Sequence, residues 1–551
     1  MAESARKVNA GAMTGGNNQY MRAAAAFVLS ALAIGLAWWR LGAPVVLPSV
    51  PLTQGEKLYC VSYAPYRGSQ DPLIEGTRVG AAQIDEDLTL IAKYSKCVRT
   101  YSVDDGSEAI LAAARRHGLK VLDGIWLSGE AEKNRRQIET TVALAKTYPD
   151  VISAIIVGNE VLLRGDLAVG DLVAAIREVK SQVSEPVSYA DVWEFWLRYR
   201  EVASAVDFVT IHILPYWEDF PIPVDRAAAH VATIRARMVA AFPDKDIVIG
   251  EFGWPSGGRM REGALPSPSN QALAINETLA LAKRENFRVN IIEAFDQPWK
   301  RWLEGSVGGR WGIFDRDTGG PNFPFSGGAI SDHPHWPVQA LAGIILAAAM
   351  FGGALFSSRG KSPPKALYWQ IATLAAICGV TFGWTIGNIA MESYSVGGWL
   401  RSLSLAAIAA AAPIVSALAC AAQRPLPPFS RLLGGAIKSR DGLNLALGVV
   451  FLVLVVLSLQ GALGLVFAPR YRDIPFAPLG AAVVPFLVVR FATPRGGGPG
   501  AVAERVAASV LAASAVYIVF NETFANWQAV WFCADLLALA FILVSVRDAP
   551  S

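Results

Sequence analysis

The chain has 551 residues, which is more than one hydrophobic core accommodates, because single cores stop growing near about 250 to 300 residues. Hydrophobic residues make up 53% of the sequence and are concentrated in parts of it, which predicts a soluble domain joined to a membrane domain. The net charge is only +3, and the basic residues form no stripe interleaved with aromatic residues, so the sequence argues against a nucleic-acid partner.

The first segment, residues 1–22, contains three basic residues. An uncharged apolar run follows at residues 23–39 and is just long enough to span a bilayer. A cleaved signal peptide would need a small-x-small site before Pro44, and the sequence shows no clear one. We therefore predict that residues 1–22 are cytoplasmic and that residues 23–39 are an uncleaved transmembrane anchor.

Residues 57–317 alternate β-rich runs with helical patterns. In the segment DLVAAIREVKSQV, for example, Leu172, Ile176 and Val179 share one helical face. Eight β-rich runs in alternation with helices predict an α/β fold, a (β/α)8 TIM barrel, rather than an open sheet. The runs cover residues 58–66, 97–103, 120–127, 152–161, 186–193, 207–215, 246–254 and 290–296.

Two glutamates end strands of this predicted barrel. Glu160 ends the fourth run, in VGNEV, and Glu251 occupies the equivalent place on the seventh, in GEFGWPS. A barrel gathers its functional groups at the C-terminal ends of its strands, so the two carboxylates are expected to converge. A pair of converging carboxylates is typical of the active site of a glycosidase. For any single glutamate at a strand end, a structural ion pair is an equally good interpretation.

Five motifs distinguish these interpretations, because together they resemble glycoside hydrolase family 17, a family of β-1,3-glucanases and glucanosyltransferases. The resemblance covers residues 57–317. The motifs are VGNEV, GEFGWPS, RTYSVDDG at residues 99–106, AFDQPWK at residues 294–300, and WGIFDRD at residues 311–317.

The resemblance implies roles for individual residues. Glu160 matches the general acid/base, with Asn159 as its neighbour, and Glu251 matches the nucleophile of a retaining enzyme. Tyr101 and Lys300 match positions that line the cleft. One position departs from the family pattern, because a further glutamate is common where Gln297 stands.

Other residues near strand ends are candidates for contact with sugars, since flat apolar faces stack on pyranose rings. For each aromatic residue taken singly, packing within the barrel is the alternative. The predicted substrate-binding set is Tyr63, Tyr101, Asn159, Trp193, Tyr216, Trp217, Trp254, Phe295, Asp296, Gln297, Trp299 and Lys300.

The histidines and cysteines suggest no cofactor. The five His residues form no ligand cluster in the sequence, and His212 is expected to orient its neighbours, so we predict no metal. Cys60 and Cys97 precede the first two strands, where a disulfide bridge is one of two open alternatives. The other three cysteines fall in apolar runs, where a thiol acts as a small hydrophobe.

A Gly/Pro-rich linker is predicted at residues 318–336, followed by a C-terminal α-helical membrane domain at residues 337–546 with about seven spans. The connections rich in Lys and Arg all lie on one side of these spans, and the other side has only Arg401, Arg470 and Arg472. If the basic side is cytoplasmic, the barrel lies across the membrane. In a bacterium this predicts a multi-pass inner-membrane protein with a periplasmic catalytic domain.

The layout resembles membrane-bound family 17 proteins associated with bacterial cyclic β-1,3/1,6-glucan synthesis. The leading hypothesis is therefore a membrane-anchored β-1,3-glucan glucanosyltransferase, with β-glucan donor and acceptor, the lipid bilayer and a separate glucan synthase as expected partners. A β-1,3-glucan endo- or exo-hydrolase is the first alternative. A glucan-binding accessory of a membrane transporter is the second.

Overall fold

A computed structural model describes residues 2–53, 55–359, 364, 366–434, 442–493 and 501–546, and for residues 2–18 it describes the backbone alone. The chain divides into two compact units. One consists of residues 44–331, and the other combines residues 1–43 with residues 332–551.

The first unit contains the predicted barrel, in which eight parallel strands close in chain order. They are shorter than the β-rich runs, because the runs continue into the loops at the mouth. The strands are β1 (Cys60–Ser62), β2 (Cys97–Arg99), β3 (Lys120–Ile125), β4 (Ile152–Asn159), β5 (Val187–Val192), β6 (Val209–His212), β7 (Ile247–Phe252) and β8 (Val289–Ile291). The TIM-barrel prediction is confirmed.

Helices surround the strands and bury one apolar face each. In Val169–Lys180 the buried residues include Leu172, Ile176 and Val179, as the helical pattern predicts. The longer helices are Ala81–Tyr94, Ser107–His117, Ala131–Thr147, Val169–Lys180, Val224–Ala241 and Pro268–Glu285. Shorter helices are Val161–Arg164, Trp193–Arg198 and Arg301–Glu304.

Alternation along the strands separates the two sides of the barrel wall. On β4, Ile155 and Val157 pack in the cluster that includes the surrounding helices, whereas Ala154 and Ile156 belong to a smaller cluster with Cys60. The side chains of each strand therefore divide between the helix layer and the barrel interior.

Cys60 and Cys97 also belong to this smaller cluster and form a disulfide, with their Cα atoms 4.4 Å apart. The bridge joins β1 to β2. The structure therefore confirms the disulfide, which the sequence left as one of two alternatives.

Two short strand pairs lie outside the barrel. Val45–Leu47 pairs antiparallel with Gly328–Ile330, which brings the first and last segments of this unit together. Phe314–Asp315 pairs with Gly320–Pro321 after the last barrel strand.

The second unit is helical. Among the residues that the structure describes, seven helices are long and apolar enough to cross a membrane: Gln19–Leu41, Trp336–Ser357, Leu367–Glu392, Val396–Ala422, Gly442–Phe467, Val502–Glu522 and Trp527–Ser545. The predicted anchor lies within the first of these, which is the C-terminal part of a longer helix, Ala2–Leu41.

Each of the seven apolar runs predicted after residue 337 forms a helix, but one of them, Phe476–Ala492, has only 17 residues and is mostly buried. A five-residue helix, Phe429–Leu433, precedes Gly442–Phe467. Five basic residues in the connections on the predicted cytoplasmic side lie outside the described residues: Lys361, Lys365, Lys438, Arg440 and Arg495.

Candidate active site

Four polar side chains meet at the C-terminal ends of the barrel strands. Arg99 ends β2, His212 ends β6 and Glu251 lies near the end of β7. Glu160 immediately follows β4. Because the strands are parallel, these ends share one mouth of the barrel.

The backbone at Glu160 turns sharply. Its φ of 53° and ψ of 32° lie in the left-handed region, which costs a residue with a Cβ about 1 to 2 kcal/mol. The Glu160 amide donates to the Ala190 carbonyl at 2.8 Å, and the short helix Val161–Arg164 begins at the next residue. The turn thereby ends β4 and leaves the carboxylate partly exposed, at 23% of its side-chain surface.

The two glutamates are separated by one imidazole ring. His212 Nδ1 lies 2.8 Å from Glu160 Oε1, and His212 Nε2 lies 3.6 Å from Glu251 Oε1. One carboxylate oxygen of each glutamate and a ring nitrogen of His212 all lie within 4.8 Å of one another. The convergence expected from the strand positions is therefore present.

Arg99 supplies the positive charge of the site, although its side chain is only 1% exposed. Its Nη1 donates to Glu251 Oε1 at 3.0 Å and to the Gly250 carbonyl at 2.7 Å, and its Nη2 donates to Asn159 Oδ1 at 2.6 Å. A buried cation requires such partners, since an unpaired one would cost several kcal/mol. Arg99 thus links the acidic ends of β4 and β7.

The arginine also assigns the tautomer of His212. Arg99 Nη1 lies 3.2 Å from His212 Nε2, and a guanidinium can only donate, so Nε2 is the acceptor. The ring proton of the neutral imidazole is consequently on Nδ1, from which it donates to Glu160.

Tyr101 completes the surroundings of Glu251. Its hydroxyl donates to Glu251 Oε1 at 2.9 Å and lies 2.7 Å from Ser62 Oγ, while its ring lies beside the Arg99 guanidinium. Burial, together with the Glu251 charge, raises the pKa of Tyr101 well above its usual value, so the phenol remains a donor.

The pKa of Glu160 results from opposing effects. Burial raises it, whereas the hydrogen bond from His212 and the guanidinium groups of Arg164 and Arg99 lower it. The net result is a Glu160 pKa below the ordinary value for glutamate.

A second ion pair lies in the loop after β8. Lys300 Nζ contacts Glu293 Oε2 at 2.7 Å. Burial raises the pKa of Glu293 to about 7, although Lys300 opposes the shift. Burial lowers the pKa of Lys300, but Glu293, Glu304 and Glu251 hold it above its ordinary value. Lys300 therefore stays a cation beside the site.

Glu160, His212 and Glu251 are also close enough together to hold a metal ion. Arg99 argues against this, because its Nη1 already lies within 3.2 Å of His212 Nε2 and 3.0 Å of Glu251 Oε1. A metal bound to those two atoms would face a fixed positive charge at short range. The absence of a metal requirement stays a prediction.

The predicted substrate-binding residues differ in exposure. Asn159 is 9% exposed. Six others are partly exposed: Tyr101, Trp193, Trp217, Asp296, Trp299 and Lys300. Trp193 donates to Glu218 at 3.2 Å, and Trp217 stacks on Trp311. Contact of these residues with sugar stays a prediction.

Five other members of the predicted set are fully buried: Tyr63, Tyr216, Trp254, Phe295 and Gln297. A ring without an exposed face cannot stack on a sugar, so the expectation of direct contact is corrected to packing beneath the mouth. Gln297 has a similar internal role, since it donates to the Ala64 carbonyl at 3.0 Å and accepts from Trp299 Nε1 at 2.9 Å.

Sequence reasoning left two central residues, Arg99 and Glu293, out of the predicted set. Arg99 stood in the RTYSVDDG motif, and its place two residues after Cys97 on a strand put both side chains on one face. Glu293 lay just before the AFDQPWK motif. A charged residue inside a β-rich run was the available signal in both cases.

Comparisons with known proteins match the barrel region of the chain. Residues 60–312 match the family model of the BtgE/BtgC glycoside hydrolase domain. The barrel resembles glycoside hydrolases. This match supports the resemblance of the barrel region to glycoside hydrolases, and the assignment to family 17 stays a prediction.

Curated relatives match the same region. The glucan 1,3-beta-glucosidase BGL2 of Candida albicans is 26% identical over 269 residues, which cover 44% of this chain and 86% of the relative. A probable beta-glucosidase, btgE, of Aspergillus fumigatus is 27% identical over 267 residues, covering 46% of this chain and 45% of the relative. A solved structure of a Rhizomucor miehei beta-1,3-glucanosyltransferase mutant in complex with laminaritriose is 25% identical, with a TM-score of 0.43, and covers 49% of this chain and 96% of its own.

Proposed function

We propose that the protein is a membrane-anchored retaining β-1,3-glucan glucanosyltransferase. It cleaves a β-1,3-glucan and transfers the fragment to a glucan acceptor, forming β-1,6 links, during synthesis of bacterial envelope glucan. The observation that carries the proposal is the approach of the Glu160 and Glu251 carboxylates to within 4.8 Å at the barrel mouth. The similarity to the glucan 1,3-beta-glucosidase of Candida albicans supports β-1,3-glucan as the substrate class.

The carboxylate spacing favours retention of configuration. Retaining glycosidases hold their two carboxyl groups about 5 to 5.5 Å apart, whereas inverting enzymes leave about 6.5 to 9.5 Å for a water molecule. The Glu160 and Glu251 carboxylate oxygens lie within 4.8 Å of each other, which is closer to the retaining separation than to the inverting one. Direct attack by one carboxylate on the sugar therefore fits the space better than attack by an intervening water.

In the first step, Glu251 attacks the anomeric carbon while Glu160 donates its proton to the glycosidic oxygen. The glycosidic bond breaks, an ester bond to Glu251 forms, and the shortened glucan leaves as an alcohol. Arg99 and Tyr101 both donate to Glu251 Oε1, so we assign Oε2 to the attack. The Arg99 guanidinium and the Tyr101 hydroxyl also stabilise the Glu251 carboxylate when the ester bond breaks in the second step.

In the second step, the ionised Glu160 removes a proton from an acceptor hydroxyl. The acceptor oxygen attacks the anomeric carbon, the ester bond to Glu251 breaks, and both glutamates return to their starting states. A sugar acceptor yields a new glycosidic bond, and water yields hydrolysis. His212 holds the Glu160 carboxylate in place for both steps through its Nδ1 hydrogen bond.

Anchoring supports transfer over hydrolysis. Seven helices in the described part of the chain could cross a membrane. An enzyme held beside a glucan synthase would meet a high concentration of acceptor ends. The Cys60–Cys97 bridge supports an extracytoplasmic barrel, because disulfides persist in oxidising compartments. We therefore place the barrel in the periplasm of a bacterial inner-membrane protein, with the lipid bilayer as its anchor.

The test uses the full chain in detergent with laminari-oligosaccharides. We expect products both longer and shorter than the starting sugar, and linkage analysis should find β-1,6 bonds in the longer ones. Glu160→Gln and Glu251→Gln should each lose activity, by about 10²- to 10⁴-fold for the acid/base. Glu139→Gln, on the outer helix Ala131–Thr147, is the matched control and should be fully active.

Three outcomes would contradict parts of the proposal. A ladder of shortened products alone would show a hydrolase. Full activity in either glutamine variant of the site would remove that residue from the reaction. Glucan binding without turnover by the wild-type chain would favour an accessory of a transporter.

A further inference from the structure

An aromatic row, which consists of Tyr66, Trp299 and Trp302, leads from the catalytic mouth along the loop after β8. Pro298–Lys300 forms a 3-10 turn that runs into the helix Arg301–Glu304, and both Lys300 and Arg301 have right-handed helical torsions at the junction. Residues three apart on such a turn are surface neighbours, with Cβ atoms about 5 to 6 Å apart. Trp299 and Trp302 are therefore adjacent on one side of the turn.

Exposure increases along this row. Tyr66 is 4% exposed, and its ring packs edge-on against Trp299 at 6.4 Å between centroids. Trp299 is partly exposed, and Trp302 is 65% exposed. The row thus begins within the packed rim of the barrel and ends in an indole ring that faces outward.

The inner part of the row lies beside the catalytic groups. Lys300 Nζ is 5.8 Å from the centre of the Trp299 ring and contacts Glu293 at 2.7 Å. The Glu251 carboxylate also contributes to the raised pKa of Lys300. A glucan chain bound at the two catalytic glutamates would therefore reach Trp299 before Trp302.

The turn that carries the two tryptophans is tied to the neighbouring loop. Gln297 is buried, accepts from Trp299 Nε1 and donates to the Ala64 carbonyl in the loop after β1. A tryptophan on a tethered turn loses little conformational freedom when a ligand covers its ring. Single exposed apolar residues need no explanation, but this one continues a row that starts at the site.

We propose that Trp302 forms an outer sugar-binding subsite, on which a more distant glucose unit of the glucan chain stacks. The inference rests on the proposed function and names the part of the surface that selects longer chains. The apolar face of a pyranose ring covers the indole, and the sugar hydroxyls remain in water at the rim. Short oligosaccharides occupy only the inner positions and do not reach Trp302.

The experiment compares wild type, Trp302→Ala and Trp302→Phe on laminari-oligosaccharides of increasing length, using the full chain in detergent. For Trp302→Ala we expect kcat/KM to be unchanged on the shortest substrate and to fall about tenfold on the longest, as loss of a buried aromatic face implies. Trp302→Phe keeps a ring and should recover most of the loss. Phe220→Ala, which removes an 82% exposed ring from the loop after β6, is the matched control.

Two results would overturn the inference. One is an equal loss at every chain length, which would indicate damage to the mouth rather than loss of a subsite. The other is full activity of Trp302→Ala on the longest substrate. If the difference in tryptophan fluorescence between wild type and Trp302→Ala then responded to phosphatidylglycerol vesicles and not to oligosaccharide, the ring would be a lipid contact instead.

The outcome is separable from that of the proposed function. If the wild-type chain processed no laminari-oligosaccharide, the proposed function would fail before Trp302 was tested. If wild type were active and the length profile of Trp302→Ala matched it, only the outer subsite would fail. Because Trp302 is largely exposed, its variants should keep the wild-type melting temperature, which verifies that they fold.

Discussion

His212 Nδ1 lies 2.8 Å from the Oε1 atom of Glu160. The other ring nitrogen faces Arg99, which contacts Glu251, so the two acidic groups are connected through one imidazole and one guanidinium. The protonation of Glu160 therefore depends on the neighbouring imidazole of His212.

The first prediction concerns pH dependence. The hydrogen bond from His212 helps to hold the pKa of Glu160 below its ordinary value, whereas burial raises it. The protonated acid is present below that pKa and is lost as pH rises through it. Removing the imidazole in His212→Ala should raise the pKa, so the alkaline limb of the kcat/KM profile should move to higher pH.

The control for this profile is His117→Ala, which removes a histidine from an outer helix of the barrel and should leave both limbs in place. An unmoved alkaline limb in His212→Ala would show that the imidazole does not set the protonation of Glu160.

The second prediction concerns Arg99. In Arg99→Met, Glu251 would remain buried without its cation, so we expect a loss of about 3 to 5 kcal/mol in the free energy of unfolding, together with loss of activity. Arg116→Met breaks an exposed pair with Asp85 and should cost about 1 kcal/mol or less. Unfolding followed by near-ultraviolet circular dichroism measures both, and similar losses in the two variants would contradict the prediction.

The third prediction concerns the bridge between β1 and β2. Cys60 and Cys97 are 37 residues apart, and closing a loop of that size stabilises a chain by about 3 to 4 kcal/mol. The double variant Cys60→Ser, Cys97→Ser should melt at a lower temperature. Wild type in dithiothreitol should melt like the double variant, and the double variant should not respond to the reductant. A reductant-insensitive wild type would argue against the bridge.

The fourth prediction concerns the backbone at Glu160. Glycine tolerates a φ of 53° better than alanine does, because alanine has a Cβ. Glu160→Gly should therefore be more stable than Glu160→Ala by about 1 kcal/mol, although both lack the carboxylate. Thermal unfolding compares them directly. If alanine were equally stable, the left-handed turn would not persist in the variants.

The fifth prediction concerns metal removal. Because the Arg99 guanidinium lies against His212 Nε2 and Glu251 Oε1, turnover of laminari-oligosaccharides should not change after incubation with EDTA. Added zinc should not stimulate it. A loss on chelation that zinc restored would contradict this account and favour a metal at Glu160, His212 and Glu251.

The sequence predicted the barrel and the meeting of the two glutamates well, because both depend on strand order and strand direction. The apolar run of β4 stops at Asn159, and the next residue carries the carboxylate. Parallel pairing then places Glu160 and Glu251 at one end whatever the lengths of the loops.

The aromatic residues were harder to place. Whether a ring at a strand end faces the cleft or the helix layer depends on register, and the register shifts between Ile211 and His212 on β6 and between Ile249 and Phe252 on β7. A one-residue shift reverses the side to which every later side chain points. Tyr216 and Trp254 follow these shifts and are buried, which residue type alone did not reveal.

The antiparallel pairing of Val45–Leu47 with Gly328–Ile330 has a consequence for how the polypeptide is organised. Because of this pairing, the first and last segments of the barrel domain lie side by side. In the sequence, the domain is an insertion between the first hydrophobic helix and the later helices. Another domain whose chain ends are adjacent could therefore replace the barrel without a change in the order of the helices.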